Sequence, residues 1–257
     1  MNAIDVYDIF APFYDSYVGD FTEDIPLYIT ECKNLDPLVE IGCGSGRILL
    51  PLLENEHKVI GIDISPAMLS LSSSKLQKYI NEGKLELLCH NLCNEPLPYQ
   101  YPIILVTFYT FNYLLSETIC SFFLKNAYQS LQSDGKIIID LFYPQSLIDP
   151  SIDNIWVERT LNKNGNKITL KQMRHFENNI ETRTQRFIDH NKESVIITER
   201  RFYNNNEIEE LLMSTGFIEA IFTEKYDLSN FQKLKNSLRI NGSFQVIARK
   251  QTKNRDG

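Results

Sequence analysis

Between residues 36 and 142, short apolar runs alternate with longer stretches whose apolar positions recur every three or four residues. The runs at 37–41 (PLVEI), 58–62 (KVIGI), 84–88 (KLELL), 102–107 (PIILVT) and 136–142 (KIIIDLF) are branched and apolar almost throughout. That pattern predicts strands buried on both faces. Helices are expected at 47–55, 66–82 and 117–133. Ser65 supplies an N-cap for the second of these, and Pro66 suits its first turn. Strands of this kind alternating with helices predict an α/β, doubly wound, Rossmann-like parallel sheet covered on both sides.

Beyond residue 150 the period changes from helical to two. Strands are predicted at 155–161, 167–176, 180–190 and 194–203, separated by Asn-rich turns at 162–165, 178–179 and 191–192. Ile168, Leu170, Gln172, Arg174 and Phe176 fall on one face of the second strand, and Thr169, Lys171, Met173 and His175 on the other. Alternation alone leaves open which face points inward. A helix at 204–213, a strand at 217–223 and a last strand at 244–249 return to the α/β pattern. The expected organisation is one domain made of residues 1–150 and 204–250, an antiparallel insertion at 151–203, and a polar tail at 251–257.

Composition narrows the class. The 257 residues are 43% hydrophobic, enough for a packed core. No run reaches the roughly 20 apolar residues that span a bilayer, and the acidic first ten residues do not read as a signal peptide. A cytoplasmic protein with no membrane partner is expected. Five scattered cysteines offer no zinc set, so no metal is expected. The net charge of −7 argues against nucleic acid as a partner. Charge is unevenly placed, however. Residues 154–203 hold ten Lys/Arg against six Asp/Glu, a balance of +4, which leaves −11 for the remainder.

The chemistry-bearing motif is Glu40-Ile41-Gly42-Cys43-Gly44-Ser45-Gly46-Arg47, which follows the first strand and opens a helix. Glycines there permit a tight turn and a close approach of ligand to backbone. The spacing Gly-x-Gly-x-Gly differs from the Gly-x-Gly-x-x-Gly of dinucleotide sites. Asp63 ends the second strand, where a carboxylate can accept both hydroxyls of a ribose. Together the two signals point to an adenosine-containing cofactor.

With these residues the chain resembles the class I S-adenosylmethionine-dependent methyltransferases. Residues 38–47 (LVEIGCGSGR) and 61–69 (GIDISPAML) look like that family's first and second motifs, and the likeness runs from 7–15 (YDIFAPFYD) to 244–250 (FQVIARK). It is nearest the small-molecule branch, which carries an antiparallel insertion and methylates amines or hydroxyls. The resemblance implies a seven-stranded sheet and S-adenosyl-L-methionine as cofactor. Gly42, Gly44 and the adjoining Cys43 and Arg47 would surround its methionine part. Glu40 would orient the loop or meet the amino group, and Asp63 would take the ribose hydroxyls. Ile64 and Met68 would cover the adenine, Asn91 and Leu92 would border it, and Thr107 would close the pocket near the sulfonium. Asn91 stands where the family usually has Asp. Tyr14, and after it Tyr7, would fold over the cofactor, although their spacing with Tyr17 also suits a helical core stripe.

Candidate catalytic groups are Tyr14, Tyr113 and His175. Many relatives have His where this chain has Tyr113; Tyr, with an ordinary pKa near 10, suits positioning better than proton removal. His175 lies on the insertion, on the expected acceptor side. The expected reaction moves the sulfonium methyl to a nitrogen or oxygen of a small-molecule acceptor, with nitrogen slightly favoured because no Lys, Asp or Glu stands beside the fourth-strand motif. The basic insertion favours an anionic acceptor. Alternatives are a methyltransferase acting on RNA or protein, and a non-catalytic protein that binds the cofactor as partner or sensor. A monomer or homodimer is expected.

Overall fold

The computed structural model describes residues 3–144, 150–163, 165–190, 192–229 and 242–251. Asn164 and Asn191 of the predicted turns, and all but Gln251 of the predicted tail, lie outside the described residues. Five parallel strands, β1 (Leu38–Ile41), β2 (Val59–Asp63), β3 (Leu85–Cys89), β4 (Tyr101–Val106) and β5 (Leu131–Tyr143), are joined by β10 (Phe217–Glu224) and β11 (Gly242–Lys250). The order is β10-β11-β5-β4-β1-β2-β3, and β11 runs antiparallel to both of its neighbours. The order reverses at β1, which pairs with β2 on one side and β4 on the other. Open α/β sheets bind ligands at the carboxyl ends of the strands flanking such a switch point.

Apolar residues on both faces of these strands bury two separate cores. On one side Ile104, Ile139 and Val246 pack with Phe123 and Leu124 of α5 (Glu117–Gln129) and Leu212 of α6 (Asn205–Ser214). On the other, Leu38, Ile103 and Ile138 meet Leu27 and Tyr28 of α2 (Ile25–Cys32), Leu52 of α3 (Leu49–Glu54) and Leu76 of α4 (Pro66–Asn81). Ser65 caps α4 as expected, its Oγ accepting from the Met68 N–H at 3.2 Å. The predicted helix at 117–133 is shorter: Ser130 Oγ donates to the Asn126 carbonyl, and Leu131 already pairs with Tyr101 in the sheet.

The insertion forms its own antiparallel sheet, β6 (Val157–Lys163), β7 (Asn166–Glu177), β8 (Ile180–Asp189) and β9 (Lys192–Arg201). Its inner face is the one that carries Ile168 and Leu170. With Leu161, Phe187 and Ile196 these residues clamp Val6, Phe10 and Phe13 of α1 (Ala3–Val18), and the Phe13 and Phe187 rings stack 4.6 Å apart. Helix α1 is therefore the wedge between α4 and the insertion. No helix among the described residues is long and apolar enough to cross a membrane.

Candidate active site

A cavity of about 1010 Å³ opens between the carboxyl ends of the central strands, α1 and the insertion. It is lined by Gly42, Gly44, Asp63, Ile64 and Met68, by Tyr7, Tyr14, Tyr17 and Tyr113, and by residues of β7–β9. Of the residues the sequence nominated, Asn91 and Leu92 also reach it.

The turn after β1 is built for close approach. Gly42 and Gly44 hold φ of +74° and +53°, where L-residues are strained. A Cβ on Gly42 would stand 2.5 Å from Thr110 Oγ1, and one on Gly44 would occupy the space below the Tyr14 hydroxyl at 3.5 Å. The turn is tied to β2 by the Gly42 and Cys43 N–H groups, both donating to the Ile62 carbonyl. Asp63 closes it: Oδ2 accepts from the Gly44 N–H and Oδ1 from the Ser65 N–H, each at 2.9 Å. Burial pushes the Asp63 carboxyl up, against the pull of those two donors. Each oxygen keeps lone-pair capacity for a further donor.

Glu40 and Thr107 stand behind the turn rather than on the cavity wall. Thr107 Oγ1 donates to Glu40 Oε1 at 2.6 Å, and the buried Oε2 has no partner. Burial drives this carboxyl up to about 8.

Besides Glu40 and Thr107, three nominated residues are not brought to the cavity. Arg47 turns away from it and forks onto Asp24, Nη1 and Nη2 reaching its two oxygens at 2.8 and 2.6 Å, beneath the ring of Phe108. Cys43 packs its side chain into the core below the turn. His175 lies on the outer face of the insertion, its Nδ1 3.1 Å from Asp153 Oδ1. The period-two face that carries Ile168 is the inward one, so its neighbour in the other set necessarily faces out.

The tyrosines are well placed and poorly suited to proton removal. Tyr7 meets Tyr113 edge to face at 5.7 Å. Burial raises both the Tyr7 and Tyr14 hydroxyls well above the ordinary value, so each stays a neutral donor at physiological pH.

Sequence reasoning missed a buried acid at the fifth strand. Asp140 Oδ2 accepts from the Tyr226 hydroxyl and Oδ1 from Gln245 Nε2, both at 2.9 Å, and burial raises this carboxyl to about 7. The signal was an acid inside an otherwise apolar strand, KIIIDLF. The sign of its pH dependence follows from linkage. The folded chain holds the Asp140 proton between about pH 4 and 7 while the unfolded chain has lost it, so stability is greater on the acid side and falls as pH rises through 7. Thermal melts of Asp140→Asn should therefore show wild type gaining on the variant by a few kcal/mol as pH falls from 8 to 5. A constant gap across that range would contradict the buried, protonated state.

The comparisons agree with this geometry. Residues 39–137 match the family described as "Methyltransferase domain". A methyltransferase-like protein of Geobacillus sp. (strain WCH70) is 22% identical over 142 residues, covering 52% of this chain and 57% of its own length. The chain thus spans a little over half of that curated relative. A solved S-adenosylmethionine-dependent methyltransferase from Clostridium acetobutylicum superposes with a TM-score of 0.75 at 18% identity, over 95% of this chain and 99% of that one. The S-adenosylmethionine-bound amino pentose methyltransferase CalS10 from Micromonospora echinaspora gives 0.66 at 15%, over 91% and 94%. The motif turn, the strand order and the matched residues agree: residues 39–137 match a methyltransferase-domain family, and the chain has the fold of the class I S-adenosylmethionine-dependent methyltransferases.

Proposed function

We propose that this protein transfers the methyl group of S-adenosyl-L-methionine to a nitrogen of a small-molecule acceptor. The observation that carries the reading is a single cavity lined by the glycine turn and Asp63 together with an aromatic, arginine-bearing wall. Its volume of about 1010 Å³ lies at the upper end of the range for ligand pockets, about 300–1,000 Å³, which suits cofactor and acceptor together.

The residues present fit the cofactor. Asp63 would hold the ribose hydroxyls, Gly42 and Gly44 would admit the methionine part against bare backbone, and Glu40 behind them would orient the turn. Ile64, Met68 and Leu92 would sandwich the adenine, with Asn91 at its edge. When bound, the cofactor supplies an already activated methyl group. The chain's own task is then to position the acceptor, keep water out and let a proton leave. Tyr7, Tyr14 and Tyr113 serve as fixed donors and as walls around the transferred methyl. The four-stranded insertion serves as the acceptor-side lid.

Nitrogen is favoured over oxygen because the described lining offers no buried carboxylate or lysine beside Tyr113, and a neutral amine needs no base before it attacks. The structural likeness to a solved sugar N-methyltransferase supports the same choice. The five unpaired cysteines suit a reducing compartment, and the cytoplasm is the proposed location. Release of S-adenosylhomocysteine, followed across pH with amines of different basicity, tests the mechanism. The acid limb should move with each amine's own pKa. A limb that stays fixed whatever the acceptor would instead mark an ionising group of the protein and overturn the positioning-only account.

A further inference from the structure

The wall that the insertion adds to the cavity carries a charge arrangement that methyl transfer itself does not require. Arg174 on β7 and Arg183 on β8 stand directly opposite each other in the ladder, and one step along Glu181 on β8 faces Arg200 on β9. Like charges in directly opposed positions destabilise a sheet. Glu181 draws them together: it accepts from Arg183 Nη2 at 2.9 and 3.1 Å and from Arg200 Nε at 2.9 Å, and Arg174 Nε lies 3.4 Å away. Burial pushes Glu181 up, but the arginines outweigh it and hold it ionised below the usual carboxylate range. Three guanidinium groups around one carboxylate leave a formal excess of +2.

That excess sits mostly out of water. Glu181 is 1% exposed, Arg183 7% and Arg200 6%. Arg183 donates Nη1 to the Tyr17 hydroxyl at 2.8 Å, yet its buried Nε has no partner. An unpaired donor on a buried cation is costly unless a ligand completes it. All three arginines line the same cavity as Asp63 and Tyr113; the acidic residue that the insertion adds to this lining is Glu199, which is exposed. Burial and the neighbouring Arg183 both pull Arg174 below its ordinary value, as expected for an over-full cluster of cations.

We propose that Arg174, Arg183 and Arg200 form an anion subsite that holds a carboxylate or phosphate group of the methyl acceptor. Planar guanidinium forks match both groups, and a low-dielectric wall strengthens the attraction. The subsite would fix the acceptor at one end while its amine is presented to the methyl at the other. The assignment rests on the methyl-transfer reading of the cavity, and its test separates the two.

The test is calorimetric titration of the full chain with inorganic pyrophosphate and, separately, malonate, each with and without S-adenosylhomocysteine. At least one dianion should bind. Arg174→Gln, at the more exposed member of the cluster, should weaken that binding tenfold or more, as should Arg183→Lys, which keeps the charge and loses the fork. S-adenosylhomocysteine affinity should stay within twofold in both variants. Binding of pyrophosphate alone assigns a phosphorylated acceptor, and binding of malonate alone a carboxylated one. No binding of either dianion, or binding equal in wild type and variants, overturns the subsite. Failure of S-adenosylhomocysteine to bind overturns the cofactor reading instead, and the dianion titrations still decide the subsite.

Discussion

Asp63→Ala should weaken S-adenosylmethionine binding at least a hundredfold, measured by calorimetry. Two hydrogen bonds from ribose hydroxyls to an ionised carboxylate contribute about 1.5–3 kcal/mol each, and each 1.4 kcal/mol is tenfold in affinity. The alanine also strands the Gly44 and Ser65 N–H groups that donate to Asp63, so the glycine turn loses one of its ties to the end of β2. Asp63→Asn separates the two contributions. It keeps the size and one acceptor oxygen, and it should hold the fold while losing most of the affinity. Unchanged affinity in the alanine variant would contradict the placement of the cofactor against β2.

Arg47→Ala should act on stability far more than on cofactor affinity. Asp24 is fully buried and accepts the bidentate fork of Arg47, which also donates to the Phe21 carbonyl. Removing one partner of a buried pair leaves an uncompensated charge and costs about 3–5 kcal/mol. For a chain of this size that lowers the melting temperature by roughly 10 °C. Below the melt, S-adenosylmethionine affinity should change less than tenfold, since Arg47 does not line the cavity. A nearly unchanged melt together with a large loss of affinity would put Arg47 on the cofactor after all.

Arg47 also shows where sequence reading reaches its limit. Its place in the motif between Gly46 and α3 suggested a ligand contact, but its partner lies 23 residues earlier, and only the folded chain brings the two together. The elements of the sheet were legible because a strand buried on both faces is apolar throughout, and Gly42, Gly44 and Asp63 were legible because each stands at the carboxyl end of such a strand. Helix α2 went unread, although Pro26 in its first turn was a usable signal. His175 was nominated from a strand whose two faces alternation defines without ranking. What ranks them is the clamp of Ile168, Leu170 and Phe187 on α1. The charge balance of +4 foretold a basic insertion, yet the arginine cluster needed the cross-strand register. Glu40 and Thr107 likewise meet only because β1 and β4 are neighbours in space.

The central claim is that this cavity moves a methyl group onto a small molecule, and mass spectrometry of a metabolite extract incubated with the protein and methyl-labelled S-adenosylmethionine tests it most directly. The account predicts label in a small, anionic, amine-bearing product, with no label in the RNA or protein fractions. Tight cofactor binding without any labelled small molecule, or label confined to macromolecules, would contradict it.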